Sequence, residues 1–283
     1  LITWILQFNP LYDIVNTSFG TVDMWADIQE RGYRILSTMN NPIAYGAVMG
    51  MAVLYLGTNM SLLRYKYIYV VLILILLKLL FTYSRSSIFG LILGFLVFLI
   101  TKYGISVKLL KVLIPCTLGI ILMYFIVPSV QHVGNLLIDA ALTGGQNTSG
   151  SNLELKNIQL ATSLLYFIQS PFFGNGFRFF QEELASGNLV SYDGSLAGLE
   201  GYLFVILVEN GIFMLIAMVV FFFQLLHFAF KRRGYGNVAC LSMSLIVFFV
   251  FFIYITGTYG NVFLYFMIFI GLTIKYLQLY DVF

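Results

Sequence analysis

Charge is what this sequence has least of. Only 10% of its 283 residues are charged while 60% are hydrophobic, where an ordinary soluble domain carries about a quarter charged residues. That deficit excludes a water-soluble globule. Cysteine is scarce as well. Cys116 and Cys240 both sit in apolar runs, where a thiol behaves as a small buried hydrophobe, so neither a disulfide framework nor a metal site is expected. The two histidines, His132 and His227, belong to no His, Cys and Asp cluster at metal-ligand spacing. No nucleotide-binding glycine fingerprint and no internal repeat are found. Neither a cofactor nor a nucleic-acid partner is expected. The net charge of +3 carries little weight, because in an apolar chain the position of each charge matters more than the sum.

The apolar residues come in blocks near the roughly 20 residues that cross a hydrocarbon core as a helix. The fold class read from this is all-α: a polytopic membrane protein forming one integral-membrane domain over residues 1–283. About seven transmembrane helices are expected, at 42–57, 67–83, 88–100, 112–127, 212–230, 238–255 and 262–274. The chain opens on Leu1 inside an apolar run with no recognisable signal peptide. It is expected to start part-way through a helix, with earlier helices preceding it. Ser84-Arg-Ser-Ser87 reads as a tight polar turn between the second and third spans. The short apolar stretch 196–208, with Glu200 in it and Glu209 just after, is expected not to cross. Asn210-Gly211 should break it from the next span.

Basic residues orient the chain. Alternate loops hold Arg64 and Lys66; Lys102, Lys108 and Lys111; Lys231, Arg232 and Arg233; and Lys275, and the positive-inside rule makes these cytoplasmic. Every acid but Asp281 then falls in the outward segments or at Glu200 and Glu209. The largest of those segments, 129–199, is an extracytoplasmic loop. Within it Ser151 and Glu154 form a capping box for an amphipathic helix that stops at Pro171, with Ile158, Ala161, Leu165 and Ile168 at helical spacing. That helix is expected to lie on the spans or on the lipid surface, as a roof.

A few polar residues invite chemistry, each beside a plainer account. Lys78 lies inside a span, which is costly without a partner. On a regular helix it shares a face with Arg85, about 10 Å deeper. It either pairs with Glu200 or Glu209 or continues a cationic track for an anionic lipid head group. Arg85 is the one charge in its outer turn, as a site cation or as a snorkelling side chain. Arg178 follows a Gly-x-Gly bend and either serves a site or pairs with Glu182 or Glu183. Arg31 and Arg34 each follow an acid by four residues, Asp27 and Glu30, so simple helical ion pairs are open to them. Glu209 is expected to cap or pack near the Asn210-Gly211 break, and His132 to be a loop residue.

Three stretches resemble one family, the polysaccharide polymerases and O-antigen ligases of bacterial envelopes (Wzy-like and WaaL-like). Tyr83-Ser-Arg-Ser-Ser-Ile-Phe-Gly90 is similar to its Ser-Arg turn ahead of a glycine-containing helix. Ser170-Pro-Phe-Phe-Gly-Asn-Gly-Phe-Arg178 is similar to the element that closes its large outer loop. Glu200-Gly-Tyr-Leu, with Glu209-Asn-Gly211 later, is similar to its tyrosine-leucine stretch. Arg31-Gly-Tyr-Arg34 before Asn41-Pro42 looks like its arginine-bearing entry to a span. Ligases carry a His-Asn pair just before the tyrosine-leucine; here Leu199 and Glu200 stand there, which favours the polymerase.

The resemblance implies a metal-independent glycosyltransferase at the outer face of the bacterial cytoplasmic membrane. It would join undecaprenyl-diphosphate-linked repeat units into a capsule, O-antigen or exopolysaccharide. Arg85 and Arg178, assisted by Arg31, Arg34 and Lys78, would bind the diphosphate, and Glu200 would serve the acceptor as the catalytic carboxylate. Donor and acceptor are both lipid-linked glycans, membrane lipid surrounds them, and a chain-length regulator is an expected partner. The alternatives are an O-antigen ligase and a flippase for lipid-linked oligosaccharides, the latter calling for a polar central cavity.

Overall fold

The computed structural model describes residues 34–35, 39, 41–58, 65–143, 153–187, 199, 201–257 and 262–280. Among the described residues there are helices and turns and no strand. The α-helices run α1 Pro42–Thr58, α2 Lys66–Leu80, α3 Arg85–Tyr103, α4 Val107–Ile126, α5 Pro128–Leu142, α6 Leu153–Gln169, α7 Phe179–Ser186, α8 Tyr202–Lys231, α9 Asn237–Ile255 and α10 Val262–Tyr280. Each of the seven apolar runs is helical over most of its length, the second only as far as Leu80. Among the described residues four helices, α3, α4, α8 and α9, are long and apolar enough to cross a membrane by length and composition. α1 and α10, as far as Leu277, are shorter apolar helices, and α2 has 15 residues.

Two expectations are corrected here. His132, expected to be a loop residue, lies on helix α5. The turn expected at Ser84–Ser87 falls earlier: 81–83 make the turn, and Arg85, Ser86 and Ser87 are the first turn of α3. α2 ends at Leu80, and Tyr83 takes a left-handed φ of 51°. No regular helix runs from Lys78 to Arg85, so the shared face expected for them does not exist.

The chain divides into two compact units. The first comprises 1–137, 228–249 and 259–283, and the second 138–227 and 250–258. In the first, α1 packs against α2, α3 and α10, and α3 against α4. α1 starts where Asn-Pro dictates: the Ile43 N–H donates to Asn41 Oδ1 at 2.7 Å, so Asn41 caps and Pro42 opens the helix at a position that needs no N–H. Glycines then set how closely the helices approach, since without a hydrophobic force between helices in lipid, small residues let backbones meet. A Cβ at Gly94 would stand 2.9 Å from Leu54 Cδ1 and 3.1 Å from the Ser244 carbonyl oxygen, so α3 lies against α9 there with no room for a side chain. Gly94→Val is expected to destabilise the detergent-solubilised protein by about 1–3 kcal/mol, the usual cost of overpacking. An unchanged thermal midpoint would contradict this contact. Residues 239–246 of α9 are buried on every side, and Cys240 among them packs with Phe98, Leu99 and Leu109 as a plain hydrophobe.

The second unit is organised around a break. α8 is two helical pieces joined at Gly211, whose φ of 71° and ψ of −170° are not helical. The break predicted at Asn210-Gly211 is therefore present. Breaking a helix strands backbone groups, which in apolar surroundings must find other partners. The chain at 171–176 supplies them. Val208 O accepts from both the backbone N–H of Asn175 (2.9 Å) and its side-chain Nδ2 (3.0 Å), and Glu209 O accepts from the Gly176 N–H at 3.0 Å. The Ile212 N–H, which would have turned back into its own helix, donates to Pro171 O at 2.9 Å. The approach is backbone to backbone: a Cβ at Gly211 would lie 2.5 Å from Phe172 O, and one at Gly174 would overlap the Glu209 carbonyl. Gly174 of the Gly-Asn-Gly bend is thus explained by packing, whereas a Cβ at Gly176 would meet nothing within 4 Å and it is the φ of 113° that calls for glycine there.

The face that α6 hides is mostly polar. Gln159, Thr162, Ser163 and Tyr166 are buried. Of the predicted apolar set, Ile158 and Ala161 are half-buried and Leu165 and Ile168 exposed. The predicted cap residue Ser151 lies outside the described residues.

Candidate functional site

In the first unit, polar groups collect at the turn joining α2 to α3. Thr82, Ser84, Ser86 and Ser87 are all buried, and so is Arg34. Arg34 reaches the turn from 48 residues earlier, donating from Nε to Thr82 O at 2.8 Å. The next residue repeats the tie, the Ile35 N–H donating to Phe81 O at 3.1 Å. The hydroxyls satisfy themselves locally: Thr82 Oγ1 donates to Leu79 O at 2.6 Å, Ser84 Oγ and Ser87 Oγ are 2.9 Å apart, and Ser87 Oγ donates to Ile43 O at 3.3 Å. Gly46 on α1 makes room for them, since a Cβ there would be 2.9 Å from Ser87 Oγ and 3.0 Å from Thr82 Oγ1. The result is a polar knot held by backbone and hydroxyl bonds, with a buried arginine on one side and Arg85 leading out of it.

The electrostatics of the turn follow from helix ends. Lys78, half-buried, lies in the last turn of α2, where the partial negative charge of the helix end favours a cation. Arg85 is the first residue of α3 and half-buried, at an end that already carries partial positive charge. A guanidinium there adds to the field of the exposed N–H groups, and together they favour an anion. Arg34 adds a second guanidinium to the same turn.

Tyr83 closes one side. Its left-handed backbone costs a bulky residue roughly 1–2 kcal/mol, and such strain concentrates at sites where the surroundings hold it. Its ring meets the His132 imidazole edge-on, with centroids 5.1 Å apart, while Val133 on the same helix packs with Leu79 and Ile88. Burial pushes the Tyr83 hydroxyl above its ordinary pKa, so it stays a neutral donor through the physiological range. The sequence pointed to Arg34 and Arg85, and the structure brings both to one turn. It also brings His132, which no spacing could link to Tyr83, because the contact depends on α5 folding back over the α2–α3 turn.

Arg178 belongs to the second unit. It is exposed, with a left-handed φ of 63°, and Nε donates to Gln181 Oε1 at 3.3 Å. Among the described residues, Tyr83 and Arg178 are the non-glycine residues with positive φ, one in each turn singled out from sequence. Glu209 is buried beside the α8 break, as expected of a packing role. Arg31 and Glu200 lie outside the described residues. Among the described residues no group of three His, Cys, Asp or Glu could hold a metal ion. A scan against models of known protein families finds no match, and no curated protein matches the chain.

Proposed function

We propose that this chain is a membrane glycosyltransferase of the polysaccharide-polymerase class, with seven spans once α1, α2 and α10 are counted as crossing. It acts at the outer face of the bacterial cytoplasmic membrane on undecaprenyl-diphosphate-linked repeat units. The observation that carries this reading is the meeting of Arg34 and Arg85 at one half-buried turn that begins a helix. A hydroxyl of the acceptor unit attacks the anomeric carbon of the donor glycan, and undecaprenyl diphosphate leaves with the bonding electrons. Negative charge grows on the leaving diphosphate, and fixed guanidinium groups in a weakly hydrated site stabilise it without reorganising. Arginine suits this better than lysine, because its planar fork matches phosphate oxygens two at a time. In this reading Arg31 assists at the diphosphate, and a carboxylate takes the proton of the attacking hydroxyl.

Arg85→Ala tests it. Removing one preorganised donor to a developing anion costs about 10²–10³ in rate. The variant should therefore remain in the membrane at normal abundance while glycans longer than a single repeat disappear. Chains of normal length would end the proposal. The lipid-linked pool in a deletion strain separates the alternatives: single repeats outside the membrane mean a polymerase, repeats trapped inside a flippase, and long unattached polymer a ligase.

A further inference from the structure

We propose that the bend at 171–177 and the exposed face of α6 are immersed in the outer leaflet of the bilayer, as a lipid-contacting wedge. This goes beyond the glycosyl-transfer reading and does not depend on it.

Three observations in the second unit point the same way. The first is the inside-out pattern of α6. Leu160, Leu164 and Ile168, four residues apart, form one exposed stripe beside Leu165, while Gln159, Thr162, Ser163 and Tyr166 are buried. A helix on a water-facing surface hides its apolar stripe; the reverse arrangement fits a surrounding medium of hydrocarbon. The second is the chain that follows. Phe172, Phe173 and Phe177 are 59%, 80% and 83% exposed, and phenylalanine has no polar tip to hold it at a wet surface. The third is continuity with a span. Phe172 and Phe173 lie against Phe213 of α8, with centroids 5.7 and 5.5 Å away. From Phe213 the exposed stripe continues through Ile216, Val220 and Phe223 along the same face of α8.

The wedge has a fixed depth because the hydrogen bonds at 171–176 tie it to the α8 break. Beyond Gly211, α8 runs on to Lys231, about 30 Å at 1.5 Å per residue, which crosses the hydrocarbon unaided. Its basic end, at Lys231, is cytoplasmic by the positive-inside rule. The break, and with it Phe172 and Phe173, then stands at the outer boundary of the hydrocarbon. Acyl chains are the occupant that matches: a broad apolar surface with the exposed Gln169 and Arg178 at its margins, and a neighbouring span facing the same medium.

Tryptophan fluorescence in vesicles tests this. In a Trp4→Phe, Trp25→Phe background, Phe173→Trp and Phe177→Trp are reconstituted separately into phosphatidylcholine vesicles with and without brominated acyl chains. Phe223→Trp on α8 serves as the lipid-facing reference. Ile105→Trp, at a residue 94% exposed between α3 and α4, serves as the aqueous one. The bend variants should be quenched by brominated lipid at least twofold more than Ile105→Trp, and shielded from acrylamide. Quenching by acrylamide to the level of Ile105→Trp would overturn the proposal. So would protection from both quenchers, which would mean burial against a second copy. Both substituted positions are exposed, so either variant alone gives the reading if the other fails to reconstitute.

Discussion

Gly174→Ala should lower the thermal midpoint of the detergent-solubilised protein far more than Gly187→Ala, although both glycines have nearly the same left-handed φ, 73° and 71°. At Gly187, the cap of α7, a Cβ would meet nothing within 4 Å. The substitution there costs only the conformational strain, about 1 kcal/mol. At Gly174 the new Cβ would overlap the Glu209 carbonyl and the Asn210 amide. Both are backbone, with no flexible side-chain end to swing aside. The bend has to lift away, and the bonds from Asn175 and Gly176 to Val208 O and Glu209 O go with it. Each buried carbonyl left unsatisfied costs roughly 1–3 kcal/mol, so a total on the order of 3–5 kcal/mol is expected, in the range reserved for disrupted buried networks. Melting curves of the two variants decide the matter. If they coincide, the bend does not hold the break together.

Arg34→Lys should fail almost as completely as Arg34→Ala. The bond from Nε to Thr82 O uses the nitrogen within the arginine side chain, and the planar guanidinium carries further donors beyond it. A lysine has one nitrogen at the end of its stem and cannot do both. Arg34→Ala also leaves a buried carbonyl at Thr82 short of a donor, costing about 1–3 kcal/mol. The expected result for Arg34→Lys is a modestly lowered thermal midpoint with a tenfold or greater loss of long glycan in membranes. Full-length glycan from that variant would show that the positive charge alone matters, and would remove Arg34 from the diphosphate site.

Much of the helical layout could be read from apolar run lengths, because in lipid the backbone has few alternatives to helix. The break at Asn210-Gly211 was equally readable, since Asn-Gly is a strong local stop. Other features depended on information that no local pattern holds. The start of α3 moved because Tyr83 accepts a left-handed backbone, a tertiary choice that leaves Arg85 in a helix and not in a turn. For α6 the apolar spacing allows a helix lying on the spans or on the lipid surface and does not say which face is hidden. Its buried Gln159, Thr162 and Ser163 carry no apolar spacing from which the hidden face could be read. Arg34 was found by its likeness to a family motif, yet its hold on Thr82 spans 48 residues. His132 reads as a loop residue because an isolated histidine in a polar stretch carries no mark of what will fold against it.

The clasp at the α8 break has a consequence for how the chain is made. Residues 171–176 leave the ribosome before 208–212, so when the broken segment enters the membrane its replacement donors and acceptors already exist. In the reverse order the exposed carbonyls of Val208 and Glu209 would wait in hydrocarbon for partners not yet synthesised, at several kcal/mol each. The order of the two segments along the chain spares the nascent protein that interval, and a circular permutation that placed α8 first would restore it.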